Sequence, residues 1–309
     1  MDKISLVIPC YNEEQALPFL YEELKSVASS MSGQAFEFVF VNDGSRDKTL
    51  DIVKQLRQTD ERVRYVSFSR NFGKEAAILA GLKAASGDYV AMIDADLQDP
   101  PMLIDEMYRS IKNEGYDCVA THRIDRKGEP AIRSFFARKF YKLINSISDT
   151  KLVDGARDFR LMTRLMVNSI IELPEYNRFS KGIFEWVGFN TKWISYENVE
   201  RVAGETKWSF WGLFFYSLEG IVAFSTRPLA IASVFGLLFF LISLIMIFII
   251  IANWIWATPV SGYTSTICVI LFIGGIQLFC LGILGQYLAK MYLETKRRPV
   301  YIIKETEEN

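Results

Sequence analysis

The sequence predicts an α/β domain built on a mostly parallel sheet, followed by two membrane-crossing helices, and three observations carry that expectation. Apolar, β-branched runs alternate with helix-like stretches through the N-terminal part; polar or glycine-containing turns close the runs; and two long segments near the C-terminus carry no charge. Strands alternating with helices imply a sheet covered on both faces.

The elements follow in order. Ile4 to Ile8 is a strand stopped by Pro9, and Tyr11-Asn12-Glu13-Glu14 opens an amphipathic stretch through Ser30. Phe36 to Val41 is a second strand, ended by Asn42-Asp43-Gly44-Ser45, and Val63 to Phe68 a third. Lys74 to Ala85 reads as a helix, Gly87-Asp88 returns the chain to the strand Tyr89 to Ile93, and helix Pro101 to Asn113 leads to strand Asp117 to Thr121. Ligands of such open sheets bind beyond the carboxyl ends of the strands. Tyr11, Asp43 and Asp94 all fall at such ends.

Asp94-Ala95-Asp96 is the most informative of these turns. Two carboxylates two residues apart, leaving a buried strand, suit Mg²⁺ or Mn²⁺, ions that share their oxygen ligands between protein carboxylates and substrate phosphates. A bare Asp-x-Asp also occurs in solvated loops, so the convergence of several strand ends carries the expectation of a nucleotide substrate.

Leu229 to Ala252 and Ser265 to Ala289 contain no charged residue. Each run is roughly 24 or 25 residues, about 36 Å as helix, enough to cross a hydrocarbon core of about 30 Å. Arg227 precedes the first run and Lys290, Lys296, Arg297 and Arg298 follow the second, whereas Asn253 to Thr264 has no Lys or Arg. The expectation is therefore two spans in a cytoplasmic membrane with both termini inside, and Trp254, Trp256 and Tyr263 at the opposite interface. Met1-Asp2-Lys3 runs straight into a strand, which fits no cleavable signal peptide.

Composition agrees: 309 residues, half of them apolar, with a net charge of −1. That balance gives no sign of a nucleic-acid partner. Cys10, Cys118, Cys268 and Cys280 lack metal-ligand spacing and read as structural thiols. Ile132 to Ile147 places Arg133, Arg138, Lys139 and Lys142 among aromatic and aliphatic residues, and Trp208 to Phe224 is aromatic with Glu219 as its one charge. Both suit helices lying in the headgroup plane of a lipid bilayer, and both would also serve as core helices on the sheet.

Five segments together, Ile8-Pro9-Cys10-Tyr11-Asn12-Glu13, Val41-Asn42-Asp43-Gly44-Ser45, Asp94-Ala95-Asp96-Leu97-Gln98, Asp158-Phe159-Arg160-Leu161 and Gly204-Glu205-Thr206-Lys207, match in order. The chain resembles the polyprenyl-phosphate glycosyltransferases of the GT-A fold, glycosyltransferase family 2, a group that includes dolichol-phosphate mannose synthases; its two spans are most similar to those of bactoprenol glucosyltransferases. The resemblance implies a catalytic domain over residues 1–131 and 149–207, juxtamembrane helices over 132–148 and 208–228, a two-span unit over 229–289 and a cytoplasmic tail over 290–309. It also implies transfer of a sugar, with UDP-glucose the first choice of donor, onto undecaprenyl or another polyprenyl phosphate.

Residue roles follow from the same resemblance. Asp94, Asp96 and Gln98 would hold the divalent ion against the donor diphosphate. Pro9, Tyr11, Glu13, Asp43 and Asp94 would bind the nucleotide sugar; read from its turn alone, Asp43 serves equally as an Asx-turn residue. Asp158 matches the catalytic aspartate. An acceptor phosphate with a second pKa of about 6 is already largely dianionic at neutral pH, so Asp158 is expected mainly to orient acceptor or sugar. Arg123, Arg133, Arg138, Arg201 and Lys207 are the expected partners of the acceptor phosphate. His122, the one histidine, is expected to be structural.

Two rivals remain at this level. A processive polysaccharide synthase would carry Gln-x-x-Arg-Trp and further spans, which this sequence lacks; a membrane sensor that binds nucleotide sugar without turnover would need none of the catalytic carboxylates. Pro299 to Ile303 is strand-like and would extend a sheet edge of this chain or of a second copy, the latter making a homo-oligomer.

Overall fold

The computed structural model describes residues 1–123, 153, 155–173, 175–196, 222, 225–256 and 262–308. The chain opens as β1 (Lys3–Cys10), α1 (Leu17–Ser30), β2 (Ala35–Asn42), α2 (Thr49–Thr59), β3 (Val63–Phe68), α3 (Lys74–Ala84), β4 (Tyr89–Met92), α4 (Leu103–Glu114) and β5 (Cys118–Arg123). After β6 (Ala156–Thr163), α5 (Arg164–Ile171), α6 (Ser180–Trp186) and β7 (Thr191–Tyr196) come the two long helices α7 (Arg227–Trp256) and α8 (Tyr263–Thr295), and then β8 (Ile303–Thr306).

The strands form one sheet in the order β7-β5-β6-β4-β1-β2-β3-β8. Pairing is parallel between β1 and β2, β1 and β4, β2 and β3, and β5 and β7. Two strands run the other way: β6 between β4 and β5, and β8 on the edge of β3. The direction of β6 matters, because an antiparallel strand begins at the rim where its parallel neighbours end. Met92 at the end of β4 pairs with Arg160, and His122 near the end of β5 pairs with Ala156, so Asp158 lies at that rim.

Side-chain alternation on the strands builds two cores. Ile4, Leu6, Ile8, Phe38 and Phe40 pack with Leu17, Leu20 and Leu24 of α1 on one face. Val7, Val39, Val41 and Val66 pack with Ala76, Ala77 and Ala80 of α3 on the other. Because α3 is lined with alanine and glycine it sits close to the sheet; a Cβ on Gly81 would lie 2.2 Å from Val7 Cγ1.

α1 starts six residues later than the amphipathic pattern from Tyr11 suggested. Asn12 has a φ of 54°, and residues 12–14 are tied to the loop before α2: Asn12 N–H donates to Ser45 Oγ at 3.0 Å, Glu13 N–H to Thr49 Oγ1 at 2.8 Å and Glu14 N–H to Asp47 Oδ2 at 3.2 Å. Those amides are committed across the loop, and Pro18 marks the first turn of the helix instead.

The segments Arg227–Met246 and Phe272–Thr295 are long and apolar enough to cross a membrane and are only 6% and 0% buried. A core helix of a water-soluble domain would be mostly covered, and these two are not. The helices pack as a hairpin through Phe239 against Phe272, ring centroids 5.5 Å apart, and the Tyr287 hydroxyl donates to the Ser225 carbonyl at 2.5 Å. Near its C-terminal end α8 meets the first domain: Glu294 accepts from the N–H groups of Tyr176 and Asn177, at 2.9 and 3.1 Å. The segment expected as one juxtamembrane helix, 132–148, and most of the other, 208–228, fall outside the described residues.

Candidate functional site

β1, β2 and β4 end side by side, and the residues that follow enclose a cleft of about 260 Å³ lined by Pro9, Tyr11, Glu13, Asp43, Lys74, Asp94 and Asp96, among others. The strand ends expected to converge do so. A larger cleft, about 730 Å³, lies between α3, the segment 175–179 and the end of α8. It contains none of the Asp-x-Asp carboxylates, and its ionic groups are of mixed sign; the smaller cleft is the chemical one.

The Asp94–Asp96 turn is anchored at both ends. Ile93 N–H donates to the Val7 carbonyl at 3.1 Å, keeping the chain on the sheet until the turn. Leu97 then adopts a φ of 58°, rare for a branched side chain, and Gln98 N–H donates to Asp96 Oδ1 at 3.2 Å. Gln98 Oε1 accepts from Arg123 Nη2 at 3.1 Å, which puts an expected acceptor-phosphate residue beside an expected metal ligand. Asp99, fully buried, receives Arg157 Nε and Nη2 and the Tyr196 hydroxyl.

Asp158 reaches the same place from β6. Its Oδ2 lies 2.5 Å from Lys74 Nζ, and the same ammonium lies 2.7 and 2.9 Å from the two oxygens of Asp94. Burial alone would raise the Asp158 pKa; Lys74 above all, then Lys181, outweigh it and hold the carboxyl well below the usual range. Burial would lower the Lys74 pKa, and Asp158 and Asp94 push it above that of an ordinary lysine. The two neighbouring arginines are engaged elsewhere: Arg157 pairs with Asp99, and Arg160 lies over the Phe184 ring, 3.9 Å from its centroid.

Asp43 is 3% exposed and both its oxygens are in use, accepting from Phe72 N–H at 2.6 Å and Gly73 N–H at 2.9 Å. Burial raises its pKa against those two bonds. The carboxylate thus fixes the backbone just before α3, and therefore the origin of the Lys74 side chain. Gly44 completes the arrangement: its φ is +65°, and a Cβ there would lie 2.4 Å from the Arg70 carbonyl carbon.

Lys74 had no sequence signal beyond opening a helix. Its partners lie 20 and 84 residues away, and only the fold reveals them. His122 has its Nε2 3.0 Å from Ser195 Oγ and its ring edge-on to Trp193. Arg133, Arg138, Arg201 and Lys207 lie outside the described residues.

No group of three His, Cys, Asp or Glu side chains suited to a metal ion occurs among the described residues. Asp94 and Asp96 with the Gln98 amide oxygen nevertheless form a set of hard oxygen donors at a strand end, the sparse protein contribution that Mg²⁺ or Mn²⁺ takes when phosphates complete its shell. A cation already bridges both oxygens of Asp94 in the form of Lys74. The residues fit such an ion.

Comparison with known proteins agrees with this architecture. Residues 5–170 match the glycosyl transferase family 2 model, and residues 227–291 match the GtrB C-terminal hairpin. The chain is 44% identical over 303 residues to the bactoprenol glucosyl transferase of Shigella phage SfV, covering 98% of both chains. It is equally 44% identical over 303 residues to the prophage bactoprenol glucosyl transferase homolog of Escherichia coli (strain K12), again covering 98% of both. Among solved structures, mannosyl-3-phosphoglycerate synthase from Rubrobacter xylanophilus aligns with a TM-score of 0.50 and 15% identity over 71% of this chain and 72% of that one, a likeness of fold alone. With its GT-A-type sheet, its carboxylate-lined rim and its apolar C-terminal hairpin, the chain belongs to glycosyl transferase family 2.

Proposed function

We propose that this protein is a membrane-bound, inverting glycosyltransferase that moves glucose from UDP-glucose onto undecaprenyl or a related polyprenyl phosphate at the cytoplasmic membrane face, with both termini on that side. The observation that carries the reading is the meeting of Asp94, Asp96 and Asp158, from distant parts of the chain, at one sheet rim of a chain that also bears two bilayer-length apolar helices. The relatives named bactoprenol glucosyl transferases, similar over almost the whole chain, support the same acceptor and sugar.

Each side chain then has a task. Pro9, Tyr11, Glu13 and Asp43 bound the nucleoside end of the cleft, Asp43 mainly by holding the 72–73 backbone. Asp94, Asp96 and Gln98 would hold Mg²⁺ or Mn²⁺, which, when bound, neutralises charge growing on the departing diphosphate. Asp158, kept ionised by Lys74, is a weak base, and a phosphate dianion needs little deprotonation; the carboxylate orients the acceptor for in-line attack at the anomeric carbon. Arg123, at the rim beside Gln98, is the described residue nearest to an acceptor-phosphate role, with Arg133, Arg138, Arg201 and Lys207 proposed beside it.

The test is transfer of label. Purified full-length protein is incubated with undecaprenyl phosphate, Mg²⁺ or Mn²⁺ and a panel of radiolabelled nucleotide sugars covering glucose, N-acetylglucosamine, galactose, mannose and aminoarabinose donors. Label passing into the organic phase from UDP-glucose is the expected result, lost in Asp96→Asn with membrane insertion intact. Nucleotide-sugar binding with no transfer from any donor would instead identify a sensor.

A further inference from the structure

Lys74 occupies an unusual place for a lysine. It opens α3, at the end of a helix where the backbone dipole disfavours cations. Gly73 before it has a φ of +98°, and the 72–73 amides are clamped by Asp43, so the side chain leaves a fixed point. From there the ammonium spans both oxygens of Asp94 and one oxygen of Asp158, while its side chain remains 41% exposed. A divalent ion coordinated by Asp94 needs at least one of the oxygens that Lys74 holds. The two cations also repel at such separations, so they compete for the same carboxylate.

We infer that Lys74 is a positioning residue that acts as a built-in counter-ion: it holds Asp94 and Asp158 together and makes divalent-ion binding conditional on the donor diphosphate. The metal alone must displace the ammonium from Asp94 without return. A metal arriving with a diphosphate brings anionic oxygens that accept the released ammonium, so the exchange is balanced. Donor binding thereby loosens Lys74 from Asp94 and leaves Asp158 beside it for the acceptor. The inference rests on the nucleotide-sugar reading of this cleft and adds to it an order of events, metal and donor together.

The experiment titrates MnCl₂ into the detergent-solubilised full-length protein and follows free Mn²⁺ by electron paramagnetic resonance, first without nucleotide and then with UDP. Wild type, Lys74→Gln and Lys74→Arg are compared, with thermal unfolding as a check on folding. Lys74→Gln is expected to bind Mn²⁺ without nucleotide about tenfold or more tightly than wild type, as removal of one unit charge beside a divalent ion predicts, and UDP should then raise the affinity by a smaller factor than it does in wild type. Lys74→Arg, which keeps the charge, should follow wild type. Equal Mn²⁺ affinity in wild type and Lys74→Gln, or weaker binding in a folded Lys74→Gln, overturns the counter-ion role while leaving the transferase reading intact. Absence of Mn²⁺ binding in every variant, with or without UDP, overturns both this inference and the metal assignment.

Discussion

Arg157 grips Asp99 through two N–H···O bonds, Nε to Oδ1 at 2.8 Å and Nη2 to Oδ2 at 3.2 Å. This pair joins the start of β6, where Asp158 sits, to the turn that carries Asp94 and Asp96. Asp99 is fully buried and Arg157 largely so, with side-chain exposures of 0% and 19%. Geometry between the candidate metal ligands and Asp158 is therefore braced by a salt bridge whose two residues are not among those lining the cleft.

Arg157→Ala leaves a buried carboxylate without its cation, a change that costs about 3–5 kcal/mol. A marked fall in melting temperature and loss of transfer are expected. Arg157→Lys keeps the charge but not the paired donors, so it should recover part of the stability and less of the turnover. Thermal unfolding and the label-transfer assay, run on both variants, check this; unchanged stability in Arg157→Ala would refute the bracing role.

The pH dependence of transfer should report the acceptor, not Asp158. Lys74 and Lys181 hold the Asp158 carboxyl below its ordinary range, so it stays ionised throughout the working range of the enzyme. A phosphate monoester gains its second negative charge with a pKa of about 6. kcat/KM is expected to rise with pH through about 6 and then level off. In Asp158→Asn the rate falls at every pH by roughly a hundredfold or more, yet the midpoint stays. A midpoint that disappears with Asp158 would show that the aspartate is the titrating base.

Much of this arrangement is legible in the sequence, and the part that is not has a physical pattern. Val63 to Phe68 is a strand to the residue, and the ends of β2 and β4 were marked by Asn42-Asp43-Gly44 and Asp94 because breakers are local signals, whereas β1 runs through Pro9, expected to stop it, as far as Cys10. The antiparallel direction of β6 and the attachment of α1 to the 45–49 loop were not legible, since both depend on partners far along the chain. Lys74 is the sharpest case: a lone lysine at a helix start looks like any solvated cation, and its meaning comes from Asp94 and Asp158. Asp43 shows the converse. Its turn position was readable, while its service to the Phe72 and Gly73 amides was not.

Acid stability should trace to Glu37 on the opposite, amino-terminal side of the sheet. Burial alone would raise its pKa, but hydrogen bonds from Ser5 Oγ, Ser86 N–H and Arg64 outweigh that and hold it at about 2, against an ordinary value of 4.5. A folded-state pKa below the unfolded one means stabilisation that is fully present above about pH 4.5 and is lost as the pH falls toward 2. The contribution is at most about 3 kcal/mol. Thermal unfolding at fixed scan rate between pH 6 and 3 should show wild type losing stability more steeply than Glu37→Gln; parallel curves would discount this carboxylate.

The C-terminal strand offers a last test, because its partner decides between a closed chain and an exchanged one. β8 runs antiparallel on β3 of the same chain, with Glu305 bonded to Lys54 at 2.7 Å and Glu307 to Arg64 at 2.5 Å and to the Tyr65 N–H at 3.0 Å. Tyr301 stacks on Phe68, centroids 4.9 Å apart. The edge strand is Ile303–Thr306, beginning where the expected strand Pro299 to Ile303 ends, and its pairing is within this chain. Removing residues 300–309 bares the β3 edge and both ion pairs, so the melting temperature should drop by several degrees and the protein should aggregate more readily. Glu305→Gln alone should cost no more than about 1 kcal/mol, since that pair is partly solvated. Light scattering in detergent should find the same assembly size for the full chain and for the fraction of truncated protein that stays soluble. If truncation converts an oligomer into monomers, β8 belongs on a neighbour's sheet and the intrachain pairing is wrong.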